Sequence, residues 1–223
     1  MVTLPDLSIK KRQEAVGRQF QHAKTFKSVI DGSELLMNGI ELLLERVSTP
    51  ILKEPAPGDQ QLDVMFRAAL RAPDHGRIRP WRFLKVSGEA REALGELMAQ
   101  AVLEDQPDLS EEALARFRGM PLRAPMLVLA ICPVKQHPKV PEIEQKMSLA
   151  AAVQSLLLAA HAQGVGAMWR TGELCYHPRL AKGLGLADNE QLMGFIYLGK
   201  PAGAKKKVPV LDVNEFVSEW VSA

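Results

Sequence analysis

Two cysteines, Cys132 and Cys175, are all that the 223 residues contain, with no C-x-x-C pair between them. That scarcity excludes a disulfide scaffold and a cysteine-based zinc site, and it suits a reducing cytoplasm. The five histidines, at 22, 75, 137, 161 and 177, show no H-E-x-x-H spacing. The nearest approaches to ligand pairs are Cys132 with His137 and Cys175 with His177, so no metal site is expected. No uninterrupted apolar run approaches the roughly 18–20 residues of a membrane span. The opening MVTLPDLSIKKRQ lacks the apolar segment of a secretory signal, so a cytoplasmic location is expected. The phosphate-cradling G-x-x-x-x-G-K-[ST] motif and the G-x-S-x-G nucleophile elbow are both missing. Gly164-Val165-Gly166 follows a helical pattern and precedes a strand pattern, the reverse of the dinucleotide fingerprint, and Gly183-Leu184-Gly185 lacks the third glycine.

An excess of one charge is missing too. The formal net charge is +2, and residues 1–36 hold six of the 28 Lys/Arg and four of the 26 Asp/Glu, which leaves 22 of each in the remainder. A neutral body lacks the concentrated positive field that nucleic acid or a membrane surface requires, so neither is expected as a partner. Any anion it binds must be small and held locally.

What is present is ordinary globular usage, 47% hydrophobic and 24% charged, in a chain long enough for one full core. Residues 9–30 suggest a weak helix broken at Asp31-Gly32-Ser33, and a clearer helix restarts near Asn38 and stops before Pro50. Residues 1–36 are therefore expected as an N-terminal extension, with the main domain spanning 37–223. QQLDVMFRAALRA has the one-sided apolar pattern of a packed helix, and WRFLKVS reads as a strand. GEAREALGELMAQAVLE and SEEALARFRG read as helices, whereas the continuous apolar run MLVLAIC predicts a strand buried on both faces. EIEQKMSLAAAVQSLLLAAHAQG is apolar around most of its circumference and predicts a central helix. VGAMWRTGE and QLMGFIYLGKP predict strands, with a short helix near RLAKGLGL between them, and the tail VPVLDVNEFVSEW is too apolar to stay undocked. Without regular βαβ spacing, these elements predict an α+β fold with helices around a small mixed sheet.

Several stretches carry more chemistry than a surface needs. E-R-V-S-T-P closes the first helix of the domain with Arg46 and Ser48, a guanidinium and a hydroxyl whose pairing suits a phosphate; a cation completing a helix C-terminus is the plainer alternative. RAPDHGRIRPWRF places Asp74, His75 and Arg79 in a loop before Trp81. Trp169, Arg170, Thr171, Gly172 and Glu173 form a strand exit where a glycine admits close backbone approach to a flat ligand, although Trp169 alone suits a core equally. Lys205, Lys206 and Lys207 could neutralise a phosphate or simply solvate a loop. His161, inside the apolar helix, reads as a satisfied core or interface residue.

Taken in order, E-L-L-L-E-R-V-S with E-P-A-P, RAPDHGRIRPWRF, HPKVPEIEQKMS, GVGAMWRTG and GFIYLGKP resemble the short, single-domain branch of the FMN-dependent nitroreductase family, from about Met37 to the C-terminus. The resemblance implies a nitroreductase-like fold in an intertwined homodimer, with both chains lining each of two FMN sites. It implies an FMN-dependent NAD(P)H oxidoreductase that reduces nitroaromatic, quinone-like or related electron-poor organic molecules by two-electron, ping-pong hydride transfer through flavin N5. No side chain then need act as a nucleophile. NADH or NADPH would bind transiently as donor. Mapped residue by residue, the implied cofactor contacts are Arg46, Val47 and Ser48 at phosphate and ribityl oxygens, Pro73, Asp74 and His75 with Arg79 beside the flavin, Trp169, Arg170, Thr171 and Gly172 against the ring, and Lys205 and Lys207 at the phosphate. The sequence departs from the family pattern where Val47 replaces a polar residue and Pro50-Ile51 occupies positions usually cationic near flavin N1 and O2. Arg170, His75 or Arg79 could take that role. The alternative is a non-catalytic flavin-binding or regulatory protein that keeps the fold.

Overall fold

The computed structural model describes residues 39–222. Its elements run α1 (Gly39–Glu45), β1 (Leu52–Lys53), α2 (Asp59–Ala69), β2 (Arg82–Ser87), α3 (Ala90–Asp105), α4 (Glu111–Arg118), β3 (Met126–Pro133), α5 (Glu142–Ala162), β4 (Gly166–Arg170), α6 (Pro178–Gly183) and β5 (Glu190–Pro201). The domain expected from Met37 is thus followed from Gly39. The expected extension 1–36, with its weak helix at 9–30, lies outside the described residues.

The sheet follows the order β1-β5-β3-β2, and β4 also pairs with β5, on the side away from β3. The α+β expectation holds, but the sheet is not mixed: every pairing among the described residues is antiparallel. The physical reason lies in β5. β3 and β4 run in the same direction and are joined by α5, as in a βαβ unit, yet β5 fills the slot between them and hydrogen-bonds to both. The sequence shows the strands and the helix, but not which strand takes the middle.

β3 explains its own composition. Side chains alternate across a strand, and both faces of this one are covered. Met126, Val128, Ala130 and Cys132 join one core with α2 and α5, while Leu127, Leu129 and Ile131 join a second with α3, Cys175 and Leu180. α2 contributes Leu62, Met65 and Ala69 to the first core, and its start is closed by the Gly58 N–H donating to Gln61 Oε1 at 3.1 Å. Ser110 caps α4, its hydroxyl accepting from the Ala113 N–H at 3.3 Å.

α5 is central, as its apolar circumference predicts. Leu149, Ala152, Val153, Leu156, Leu157 and Ala160 are buried against the sheet. Its outward side is apolar as well, and there Ile143 and Met147 remain 62% and 63% exposed. Ile40, Leu43 and Leu44 of α1 are similarly exposed. α1 packs against α5 but ends at Glu45, several residues before the expected stop at Pro50. Arg46, Val47 and Ser48 therefore do not close a helix. They lead into extended chain in which the Thr49 N–H donates to the Ala167 carbonyl of β4 at 2.9 Å, a course favoured by β-branched Val47 and Thr49 ahead of Pro50.

The tail is the second departure from expectation. Beyond Pro201 the described residues carry only one short 3-10 turn, Val213–Glu215, and every one of them is exposed, including Val210, Phe216 and Trp220. Within one chain nothing covers it. No helix among the described residues is long and apolar enough to cross a membrane.

Candidate functional site

The loop 73–80 is built by its own aspartate. Asp74 Oδ2 accepts from the Arg79 N–H at 2.7 Å, and the Asp74 carbonyl accepts from the Arg77 N–H at 3.3 Å. The tight path puts Gly76, Arg77 and Arg79 at φ of 68°, 55° and 53°, a left-handed region that costs non-glycine residues about 1–2 kcal/mol each. Such strain persists only where the surroundings over-determine the backbone. Here they do: Lys135 Nζ donates to the Ile78 carbonyl at 2.8 Å, and His75 Nδ1 is hydrogen-bonded to Glu144 in the first turn of α5. Buried Gln145 fixes the neighbouring loop from three sides, accepting from the Lys135 N–H at 2.9 Å and donating to the Lys135 and Val140 carbonyls at 2.8 and 3.3 Å. One atom is left over. Asp74 Oδ1 is buried without a hydrogen-bond partner.

Trp169 owes its position to a bulge. The register of β3 against β5 shifts between Ala130 and Ile131, opposite Met193-Gly194, and this frees the Met193 carbonyl to accept the indole N–H of Trp169 at 3.2 Å. Gly194, at φ 138°, is required there, because a Cβ would lie 2.2 Å from Trp169 Nε1. With its N–H satisfied, the indole can offer only its face. It packs against the first core, as Trp81, Phe66 and Phe83 also do. Arg170 takes the opposite side of the sheet, paired across from Phe195, with its guanidinium 5.6 Å from the centre of the Tyr197 ring. Thr171 and Gly172 are exposed at the strand exit, where Gly172 at φ 140° adopts a conformation open in practice only to glycine.

A third group gathers at the end of α5. Lys205 Nζ lies 2.6 Å from Glu45, whose carboxyl is held below its usual range by that hydrogen bond and charge. Neither the half-buried Arg46 guanidinium nor the half-buried Ser48 hydroxyl has a hydrogen-bond partner among the described residues, and Val47 is half-buried between them. Lys207 is exposed. His161, expected as a satisfied core or interface residue, is not satisfied within the chain: its Nε2 is buried and unpartnered among the described residues. Burial first, then the positive charges of Lys205 and Arg46, push its pKa below the usual histidine value, against a smaller opposing pull from Glu45. The sequence signal that could have found it was a histidine one turn before the glycine that ends an otherwise apolar helix.

The predicted residues thus fall into groups that one chain does not unite. Pro73, Asp74, His75 and Arg79 belong to the loop that His75 ties to Glu144 at the start of α5; Arg46 and Lys205 lie with His161 at its end, and Ser48 follows Arg46 in the extended chain beside β4. The separation of 17 positions from Glu144 to His161 spans about 25 Å of helix at 1.5 Å per residue. A concavity of about 450 Å³ lined by Glu92, Ala93, Glu96, Arg118 and Leu122 contains none of them.

Both cysteines are buried, and burial pushes each thiol up to about 11, so neither is a thiolate at neutral pH. No group of three or more His, Cys, Asp or Glu among the described residues is arranged to hold a metal ion.

An unmatched guanidinium beside an ion-paired lysine at one place, an unmatched carboxylate oxygen at another and an indole with only its face to offer suit a ligand with a phosphate, polar ring edges and a flat ring system. FMN has all three, so the residues present fit it.

The profile of the Nitroreductase family matches residues 43–200. The chain is 37% identical over 183 residues to the Escherichia coli K12 protein called "Putative NAD(P)H nitroreductase YdjA", covering 82% of this chain and 99% of that one. It is 33% identical over 184 residues to a Haemophilus influenzae protein called "Putative NAD(P)H nitroreductase", again covering 82% and 99%. Among solved structures it resembles a nitroreductase-like family protein from Bacillus cereus, with a TM-score of 0.72, 20% identity and 85% and 99% coverage. It also resembles a nitroreductase-type protein from Desulfovibrio desulfuricans described as a complex with FMN, with a TM-score of 0.63, 21% identity and 83% and 99% coverage.

Proposed function

The chain belongs to the nitroreductase family, and from that premise we propose that it is an FMN-dependent NAD(P)H oxidoreductase acting on nitroaromatic, quinone-like or related electron-poor organic molecules, with each active site assembled from two copies. The observation that carries this reading is the separation of the candidate residues to opposite ends of α5. A two-fold contact is isologous, so two α5 helices packed antiparallel place the start of one against the end of the other. Asp74 and His75 of one copy then face Arg46, Ser48 and Lys205 of its partner. The outward apolar side of α5 at Ile143 and Met147, the exposed leucines of α1 and the uncovered tail supply the apolar surface such a contact needs.

When bound, FMN would supply two-electron transfer through its N5 between NAD(P)H and the acceptor. The chain's own residues hold and shield it. Arg46 and Lys205, with Lys207 in the same loop, neutralise the phosphate, while Ser48 and the backbone at Val47 take polar oxygens. Trp169 forms an apolar wall, and Thr171 with Gly172 leaves an open backbone edge. Pro73 and Asp74 border the ring from the partner. Arg170, engaged with Tyr197 on the far side of the sheet, is poorly placed to supply the cation usual near the ring, which favours His75 or Arg79 for that role. A cytoplasmic location suits an enzyme that draws on pyridine nucleotides.

The test is spectroscopic. The purified protein is expected to be yellow, to bleach anaerobically with NADH or NADPH and to recover colour when a nitro compound or quinone is added. Its mass in solution should be that of a dimer. Yellow protein that never bleaches would favour a non-catalytic flavin-binding role, for which the absent cation at Pro50-Ile51 is the motive. Colourless protein whose melting temperature ignores FMN would remove the cofactor from the account.

A further inference from the structure

The proposed phosphate site contains a residue that no part of that reading requires. His161 stands one turn before Gly164, in the neighbourhood of the Glu45–Lys205 ion pair and Arg46, and among the described residues neither its buried Nε2 nor the Arg46 guanidinium has a hydrogen-bond partner. A buried donor or acceptor left unsatisfied costs about 1–3 kcal/mol, so its retention calls for a partner that arrives later. We infer that His161 is a third ligand of the FMN phosphate and takes up a proton as that phosphate settles between Arg46 and Lys205. This inference rests on the FMN reading above and deepens it.

Charge balance supports it. The charged groups that act on His161 are Arg46, which follows α1, Glu45 at the end of α1, and Lys205 in the late loop. Together they amount to one net positive charge. A phosphate monoester carries about −1.5 to −2 at pH 7, so these three groups with a neutral histidine fall short of it by up to one charge, exposed Lys207 being screened by solvent. A protonated imidazole closes that gap, and it also offsets the carboxylate of Glu45, which would otherwise face the incoming dianion. In the empty site the same proton is disfavoured, because burial and both cations oppose it. Arrival of the phosphate reverses the local field, so proton uptake and phosphate affinity are linked.

The sign of the proton exchange separates this from simple binding between cations. Two cations alone stabilise the dianion and would release any proton still on the phosphate, whereas a histidine ligand takes one up. Full-length protein freed of flavin is titrated with FMN at pH 7 by calorimetry in two buffers of different ionisation enthalpy. Net uptake of protons is expected for FMN and not for riboflavin, which lacks the phosphate. In parallel, lowering the pH from 8 to 6 should tighten FMN binding at least about fivefold more in the native protein than in His161→Gln, at the low end of usual coupling between sites. Absence of uptake, the same uptake with riboflavin, or an identical pH ratio in folded His161→Gln overturns the inference. Should His161→Gln fail to fold, the two-buffer measurement on the native protein decides alone. FMN that binds without His161-dependent proton exchange defeats this inference only; FMN that does not bind at any pH defeats both it and the function it rests on.

Discussion

The two ends of α5 are built on opposite plans. At its start, Glu144 engages His75, Gln145 satisfies three backbone groups, and Lys135 ties down the loop at Ile78, so that almost every polar group is spoken for within the chain. At its end, Arg46, Ser48 and His161 Nε2 have no hydrogen-bond partners among the described residues. The first end is closed before any ligand arrives; the second is left open to one. A closed network fixes geometry and an open one supplies affinity, and a site shared between copies can take one from each. Positioning of this kind works best on supports that are themselves locked, which is where the start of α5 places His75 and Asp74.

The contrast can be broken at its middle. Leu156→Ala removes a fully buried side chain between α5 and the sheet, and it should cost about 2–5 kcal/mol in denaturant unfolding. Both ends would suffer together, so flavin affinity should fall in step with stability. Arg46→Ala sharpens the contrast instead. FMN binding should weaken by about 1.5–3 kcal/mol, the scale of hydrogen bonds to a charged group, in a fluorescence titration. The flavin-free protein should keep its stability within about 0.5 kcal/mol, since the Arg46 side chain has no hydrogen-bond partner among the described residues. Equal losses in both measurements would mean the end of α5 is structural after all.

Gln145→Ala reverses that pattern. It strands the Lys135 and Val140 carbonyls, and unfolding should become easier by about 1–3 kcal/mol even without flavin. The smallest effect concerns acid. His161 is held below its usual pKa in the folded chain, so the unfolded chain binds the proton more readily. Its contribution is therefore intact above the ordinary histidine value of about 6.5 and declines as the pH falls through the lower folded value. The melting temperature of flavin-free protein should drop on that side, and less steeply in His161→Gln.

Much of the architecture was legible because it rests on local pattern. The uninterrupted apolar run of β3 and the all-round apolar α5 announce burial by composition alone. The antiparallel sheet was not legible, since the insertion of β5 between β3 and β4 is a long-range choice that no window of sequence contains. Ahead of Pro50, the pairing of the Thr49 N–H with β4 overrode a helical pattern that reads continuously through Val47. Candidate site residues could be proposed from their motifs, yet their separation along α5 could not, because spacing in sequence says nothing of which end of a helix a distant segment reaches. His161 escaped for a different reason: a histidine in an apolar helix resembles a core residue until its ring nitrogen is seen to lack a partner.

The alternation of β3 has one more consequence. Because its odd and even positions feed separate cores, the strand has no solvent face through which it could fray or be repacked piecemeal. Its main-chain amides can meet solvent deuterium only when both layers come apart at once, so their exchange measures the free energy of opening the whole domain, while amides in the exposed tail exchange on a far cheaper, local fluctuation.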